Sequence, residues 1–238
     1  MTNSDSDTDS GNDSDSNSDA SSSPAHSPAR PGAILAVFVF LCTSALMVVA
    51  ALTHETISDN QAAQILKRLD QVFPASQRDN DLLAHTSQLN APSLTSGGPV
   101  LVYQAQQHSE VTGVIIAMST GQGYNGTINL LIGIDPQGAV TGVRVVPPHL
   151  ETPGLGDQID IEKSDWMLGF NNRSLENPPT DQWAVKKDGG VFDAFTGATI
   201  TPRAVVNAVR DTLSYFHAHR SQLLTPIPLA NEYEGSTP

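Results

Sequence analysis

The sequence predicts an α+β domain, a small antiparallel sheet packed with helices, preceded by one transmembrane helix. Three observations carry that prediction. A charge-free apolar run lies near the N-terminus, strand-like segments follow one another closely between residues 100 and 146, and a helical apolar repeat runs from Thr201 to His219.

Taken in order, residues 1–30 are dominated by Ser, Asp, Asn and Pro. Such a tail cannot bury enough surface to offset its ordering entropy, which predicts a disordered, solvated segment. Gly32 to Leu52 then reads GAILAVFVFLCTSALMVVAAL. About 20 apolar residues suffice to cross the hydrocarbon of a bilayer. The run is longer than the apolar part of a cleaved signal peptide and Arg30 is a meagre basic flank, so residues 32–53 read as a retained anchor. Thr43 and Ser44 are tolerable within it because a helix can satisfy their hydroxyls internally. Arg30 precedes the span and Lys67 and Arg68 follow only at a distance, so charge is nearly silent on orientation.

Residues 54–98 form a helical linker region. Ile57, Ile65, Leu66, Leu69, Val72 and Phe73 make one apolar stripe on a helix over 57–73, which Pro74 ends. Residues 76–97 are polar and loop-like, with a turn at Leu82–Leu83. The main domain, 99–220, follows. Strand patterns occupy Val100–Tyr103, Val111–Ala117 and Ile128–Ile134; Asp135-Pro136-Gln137-Gly138 is a turn, and Ala139–Val146 pairs back as a hairpin. Their closeness favours antiparallel pairing, because a parallel crossover needs a dozen or more residues. Ser164–Phe170 reads as a short capped helix and Trp183–Val185 as a short strand. The final helix spans Thr201–His219, and 221–238 is a loose, proline-bearing end.

A net charge of −13, from 12 basic and 25 acidic residues, argues against binding nucleic acid. Six of those acids, Asp5, Asp7, Asp9, Asp13, Asp15 and Asp19, lie in the tail and say little about the folded part. The single cysteine, Cys42, sits inside the apolar run, which excludes an intrachain disulfide and cysteine-based zinc or iron–sulfur ligation.

The chemistry-bearing stretch is Asp193-Ala194-Phe195-Thr196-Gly197-Ala198-Thr199, directly before the last helix. Pro202 suits a first helical turn and Thr201 can cap it. The free N–H groups of a helix start favour an anion, phosphate above all, and Gly197 lets the backbone approach one closely. No Lys follows the glycine as in a P-loop, so local chemistry alone gives no more than a cap. The loop His149–Asp157 is on its own terms a rigid turn, or a place where Gly154 and Gly156 expose backbone N–H groups to a flat ring while Leu155 covers an apolar edge. His149 and Glu151 can hold its shape, but two ligands are too few for a metal.

Asp193-x-x-Thr196-Gly197-Ala198-Thr199 resembles the motif on which a flavin transferase esterifies FMN to the last threonine. Gly123-Tyr124-Asn125-Gly126, His149–Asp157 and Trp183–Gly190, in that order, are similar to segments of the RnfG (RsxG) family, the G subunits of Rnf-type electron transport complexes. The similarity runs over roughly residues 34–216; the related NqrC subunits of sodium-pumping quinone reductases share the Glu-Thr-Pro-Gly-Leu-Gly and Thr-Gly-Ala-Thr elements. The long Ser/Asp tail departs from the family pattern.

The resemblance implies an FMN-binding domain over 99–220 with FMN held covalently as a phosphoryl ester of Thr199. It implies cofactor contacts from Thr196, Gly197, Ala198, Asp193, Glu151, Thr152, Gly154, Leu155 and Lys186 (or its neighbour Lys187, beside the phosphate or the reduced ring). Tyr124 either packs on the flavin or is a sheet-edge aromatic, and His149 and Glu151 can assist proton movement. No catalytic residue and no metal site are implied. A separate magnesium-dependent transferase would supply FAD as donor, other membrane subunits and lipid would be partners, and the domain would be periplasmic on the bacterial inner membrane. In that family electrons pass between ferredoxin and NAD, coupled to movement of sodium ions or protons. The alternatives are an NqrC-like subunit, an anchored binding module without redox function, and, least favoured, a hydrolase using Thr199 or Ser164 with His149, around which no nucleophile-elbow signature appears.

Overall fold

The computed structural model describes residues 29–95 and 97–227, so residues 1–28 of the predicted disordered tail and 228–238 of the predicted loose end lie outside the described residues. The chain divides into two units, 1–55 and 56–238. The first carries the N-terminal part of helix α1, Ala29–Val72. Its Gly32–Ala50 stretch is long and apolar enough to cross a membrane, and none of that window is buried against protein. The Thr43 hydroxyl donates to the Val39 carbonyl at 2.8 Å, satisfying itself within the helix as the sequence predicts. Cys42 is exposed on this segment.

The second unit is built on a five-stranded antiparallel meander in the order β1 (Thr86–Leu89), β2 (Val100–Gln107), β3 (Glu110–Thr120), β4 (Ile128–Ile134) and β5 (Val140–Val146). The sequence pattern over 76–97 predicts loop, yet β1 lies inside it, a short polar strand paired to β2 from Thr86↔Tyr103 to Leu89↔Val100. Thr-Ser-Gln-Leu carries no apolar alternation, so nothing in its pattern announces a strand. The β2–β3 hairpin turns on His108 and Ser109, both at positive φ, as the twist of a two-residue hairpin demands. The β4–β5 turn is the predicted Asp135–Gly138, where the Asp135 carboxylate accepts from the Gln137 and Ala139 N–H groups.

Both faces of the sheet are covered. Val114 and Ile116 point into one core with the C-terminal helix α2 (Ile200–Leu223), while Ile115 between them points into another with the end of α1. On the α1 side Leu69, Val72 and Phe73 pack on Tyr103, Ala105, Ile115 and Leu131. Gly133 and Gly142 face each other across β4 and β5, and a Cβ on either would run into Val72, so the helix rests on bare backbone there. On the other face α2, Ile200–Leu223, buries Val205, Val206, Val209, Leu213 and Phe216, the stripe its spacing predicts. It runs four residues beyond the predicted end, through a non-helical His219. The buried Gln104 side chain secures that end, donating to the carbonyls of Leu223 and Thr225.

Two local expectations change. Trp183–Val185 is not a strand: Trp183 closes a 3-10 turn over Thr180–Gln182, and Val185 makes one isolated bridge to Phe192. Trp183 and Val185 are buried for core packing rather than for sheet pairing. Ser164–Phe170 is helical as predicted but tightened into a 3-10 helix, with the Ser164 hydroxyl capping the Trp166 N–H at 3.3 Å.

Candidate functional site

The start of α2, the loop after β5 and the loop before β4 converge on one cavity of about 220 Å³. It is lined by Tyr124, by Glu151, Thr152, Leu155 and Gly156, and by the run Gly197–Thr201. The motif turn is fixed from behind. The Trp166 indole N–H donates to the Asp193 carbonyl at 2.9 Å and its ring meets Phe195 edge-on at 5.1 Å. The Ala198 N–H closes a β-turn to the Phe195 carbonyl at 3.1 Å, and the third residue of that turn, Gly197, has φ +81°. That conformation presents Thr199, half-buried, at the cavity wall.

The sequence makes Thr201 the cap of α2, but the structure corrects this. Thr199 occupies the cap position with helical backbone and makes no side-chain cap hydrogen bond, and Thr201 lies within the first turn. The buried Thr201 hydroxyl donates to Glu151 Oε2. The other Glu151 oxygen accepts from the Asn125 N–H at 3.4 Å. Asn125 also donates from its side chain to the Thr152 hydroxyl at 3.4 Å. Glu151 therefore ties all three segments of the cavity together. Of the two threonine hydroxyls in the α2 wall, that of Thr201 is engaged and that of Thr199 is free.

Of the residues singled out in the sequence, Glu151, Thr152, Leu155, Gly197, Ala198 and Thr199 line the cavity. Thr196, Gly154, Asp193 and Lys186 do not. Thr196 and Gly154 are exposed on the adjoining turns. The Lys186 ammonium is 2.6 Å from the Asp193 carboxylate, a solvent-exposed pair on the outside of the motif. Beside it Arg203 of α2 grips Asp188 through two nitrogens at 2.5 and 2.8 Å, which lowers the Asp188 pKa and raises that of Arg203. Tyr124 and Ile200 complete an apolar rim with Leu155, all three exposed. The role of Thr201 had no sequence signal, because its partner is fifty residues away in the chain.

His149 turns away from the cavity. Its Nε2 is 4.0 Å from Asp160 Oδ2, and its Nδ1 is buried without a partner. Asp160 is gripped by Arg68 of α1 at 3.1 and 3.4 Å. Burial pushes the Asp160 carboxyl up, but hydrogen bonds from Arg68 and the Glu162 N–H, with the charge of Arg68, outweigh it and hold the pKa below its ordinary value. Arg144 is buried, donating to Gln71 and to the Val143 carbonyl; burial and the charge of Arg68 lower its pKa.

A flavin fits the donor set on three counts: a free, half-buried hydroxyl, a glycine turn beside it, and an apolar rim for a ring. Chemically the wall has one anomaly as a phosphate site. Among the described residues no Lys or Arg lines it, and its only charged lining side chain is the Glu151 carboxylate.

Comparisons with known proteins show the family to which the chain belongs. The family profile for the FMN-binding domain matches residues 123–214, and that for the RnfG N-terminal region matches 26–72. The chain is 43% identical over 204 residues to the G subunit of the ion-translocating oxidoreductase complex of Shewanella loihica, covering 85% of this chain and 96% of the relative. It is 45% identical over 192 residues to the protein of that name in Vibrio cholerae, covering 81% and 91%, and 42% identical over 197 residues to that of Aliivibrio fischeri, covering 82% and 93%. The chain thus belongs to the family of Rnf-complex G subunits and carries their FMN-binding domain.

Proposed function

We propose that this protein is a membrane-anchored electron carrier that holds FMN as a phosphoryl ester of Thr199 within an ion-translocating electron transport complex. The observation that carries the covalent reading is the cavity wall, which offers a free threonine hydroxyl and no cation for the phosphate. At about 220 Å³ the cavity is also smaller than the usual small-molecule site, roughly 300–1,000 Å³, so it admits an edge of the cofactor rather than enclosing it. A ligand neither neutralised nor enclosed is retained best by a bond. In the esterification the Thr199 hydroxyl loses its proton and forms the new P–O bond, while the pyrophosphate bond of an FAD donor breaks and AMP leaves. A threonine hydroxyl is a poor nucleophile alone, and among the described residues no base is hydrogen-bonded to Thr199, so a separate flavin transferase supplies the activation.

When bound, a flavin passes electrons one or two at a time and so links unlike carriers. This chain's own residues hold and orient it: the rim of Tyr124, Leu155 and Ile200 offers apolar surface to a ring, and Thr152 with its neighbours shapes the seat. The Gly32–Ala50 helix keeps the carrier beside the other subunits of the complex. In this proposal the domain is periplasmic on the inner membrane, and electrons move between ferredoxin and NAD. The test is to express the full chain with its flavin transferase, denature it, and look for fluorescence of the protein band under ultraviolet light. Wild type should fluoresce, and Thr199→Val should be dark while its thermal unfolding is unchanged. A fluorescent T199V band would overturn the assignment.

A further inference from the structure

Glu151 is the one acidic side chain lining the cavity among the described residues and is 5% exposed. A buried carboxylate is costly unless its oxygens are hydrogen-bonded, and both of these are, one to Thr201 and one to Asn125. Its surroundings leave it no other place. A Cβ added at Gly156 would lie 2.6 Å from Oε2 and 2.9 Å from the Thr201 hydroxyl. One added at Gly123 would lie 2.7 Å from Oε1. Two loops have thus given up side chains where they meet this carboxylate. Thr201 is in the first turn of α2, where the helix dipole favours an anion. The protein's own carboxylate thus lies against the first turn of α2, in the same cavity wall as Thr199.

We propose that Glu151 is a positioning and potential-setting residue: clamped between Thr201 and Asn125, it fixes the shape of the seat and puts an acidic side chain in its wall, which as a carboxylate lowers the reduction potential of a flavin carried there. This rests on the reading that the flavin occupies this cavity. Reduction adds negative charge to the ring system, and a fixed carboxylate beside it opposes that addition. A potential-setting role also accounts for the absence of any cation among the lining residues, since a Lys or Arg there would cancel the effect.

The experiment uses full-length, flavin-labelled protein in detergent and compares Glu151→Gln, Thr201→Val and Thr201→Ser with wild type. The readouts are the flavin midpoint potential, label per protein, and thermal unfolding. Glu151→Gln keeps the size and one acceptor but removes the charge. It should raise the potential by at least a tenfold shift of the two-electron equilibrium, about 30 mV. Thr201→Ser should match wild type, whereas Thr201→Val frees the carboxylate from its clamp and should move the potential, with the label still at Thr199. A labelled E151Q protein with the wild-type potential would overturn the proposal. If E151Q fails to fold, a T201V protein identical to wild type in potential would overturn it equally. Wild type without label would instead sink the flavin reading beneath it, so the two failures are distinguishable.

Discussion

The loop from Pro147 to Asp160 has two ends that use the same residue types for opposite purposes. At one end Asp160 is locked to Arg68 of α1, and the ring of His149, from the start of the loop, comes within 4.0 Å of it. At the other, Glu151 is equally locked to Thr201 and Asn125, but next to it a threonine hydroxyl is left without any side-chain cap bond at a cavity wall. At both ends the carboxylate is held by hydrogen bonds, and the free Thr199 hydroxyl at the cavity wall sets the second end apart. The two ends also differ in their charge balance. Asp160 is answered by a buried arginine, whereas the cavity holds a lone carboxylate.

Mutation should separate the two ends most visibly on the scaffold side. Arg68→Ala strands Asp160 in a mostly buried place, and breaking such a pair costs about 3–5 kcal/mol. Chemical denaturation should show that loss, while the fraction that remains folded should still accept flavin at Thr199. Equal loss of label and stability would mean that the two ends are not separable. At the cavity end, Gly156→Ala forces a methyl against Glu151 and Thr201, where neither neighbour can retreat without giving up the hydrogen bond. Overpacking of this kind costs about 1–3 kcal/mol, and here labelling yield should fall more steeply than stability.

Acid should act on the scaffold end in a defined direction. The Asp160 pKa is depressed in the folded protein, so its stabilising contribution is fully present above the unfolded carboxylate pKa and is lost as pH falls through the lower folded value. Unfolding followed below about pH 4 should therefore steepen in wild type, and Asp160→Asn should remove that part of the slope. The weakest response belongs to the outside of the motif. Lys186→Ala removes one partner of an exposed ion pair and should change stability by at most about 0.5–1 kcal/mol. Its labelling should stay close to wild type, because Lys186 does not line the cavity. A large loss of label there would restore it to the cofactor's surroundings.

Much of this is legible in the sequence, for physical reasons that differ by element. The span over Gly32–Ala50, β2 to β5 and the apolar stripe of α2 follow from period and composition. The Asp135–Gly138 turn follows from residues that each have a reason to be there. What escapes is non-local. β1 has no pattern of its own and exists because the edge of β2 was open to pairing. Trp183 and Val185 look like strand and are core. Thr201 looks like a cap and is a clamp, because its partner arrives from a different loop. Lys186 reads as a cofactor contact, and its exposed ion pair with Asp193 has no signal of its own in the sequence. Family resemblance points to Thr199, and only the folded arrangement separates its free hydroxyl from the engaged one two residues on.

The proposed placement of the cofactor depends on the Thr199 hydroxyl being the one that carries it. Peptide mass mapping of protein purified from membranes of a host with an active flavin transferase decides the point. The peptide bearing Thr199 should be heavier by FMN less one water, with fragment ions placing the addition on Thr199 and none on Thr196 or Thr201. An unmodified Thr199, or an addition on either neighbour, would contradict the assignment.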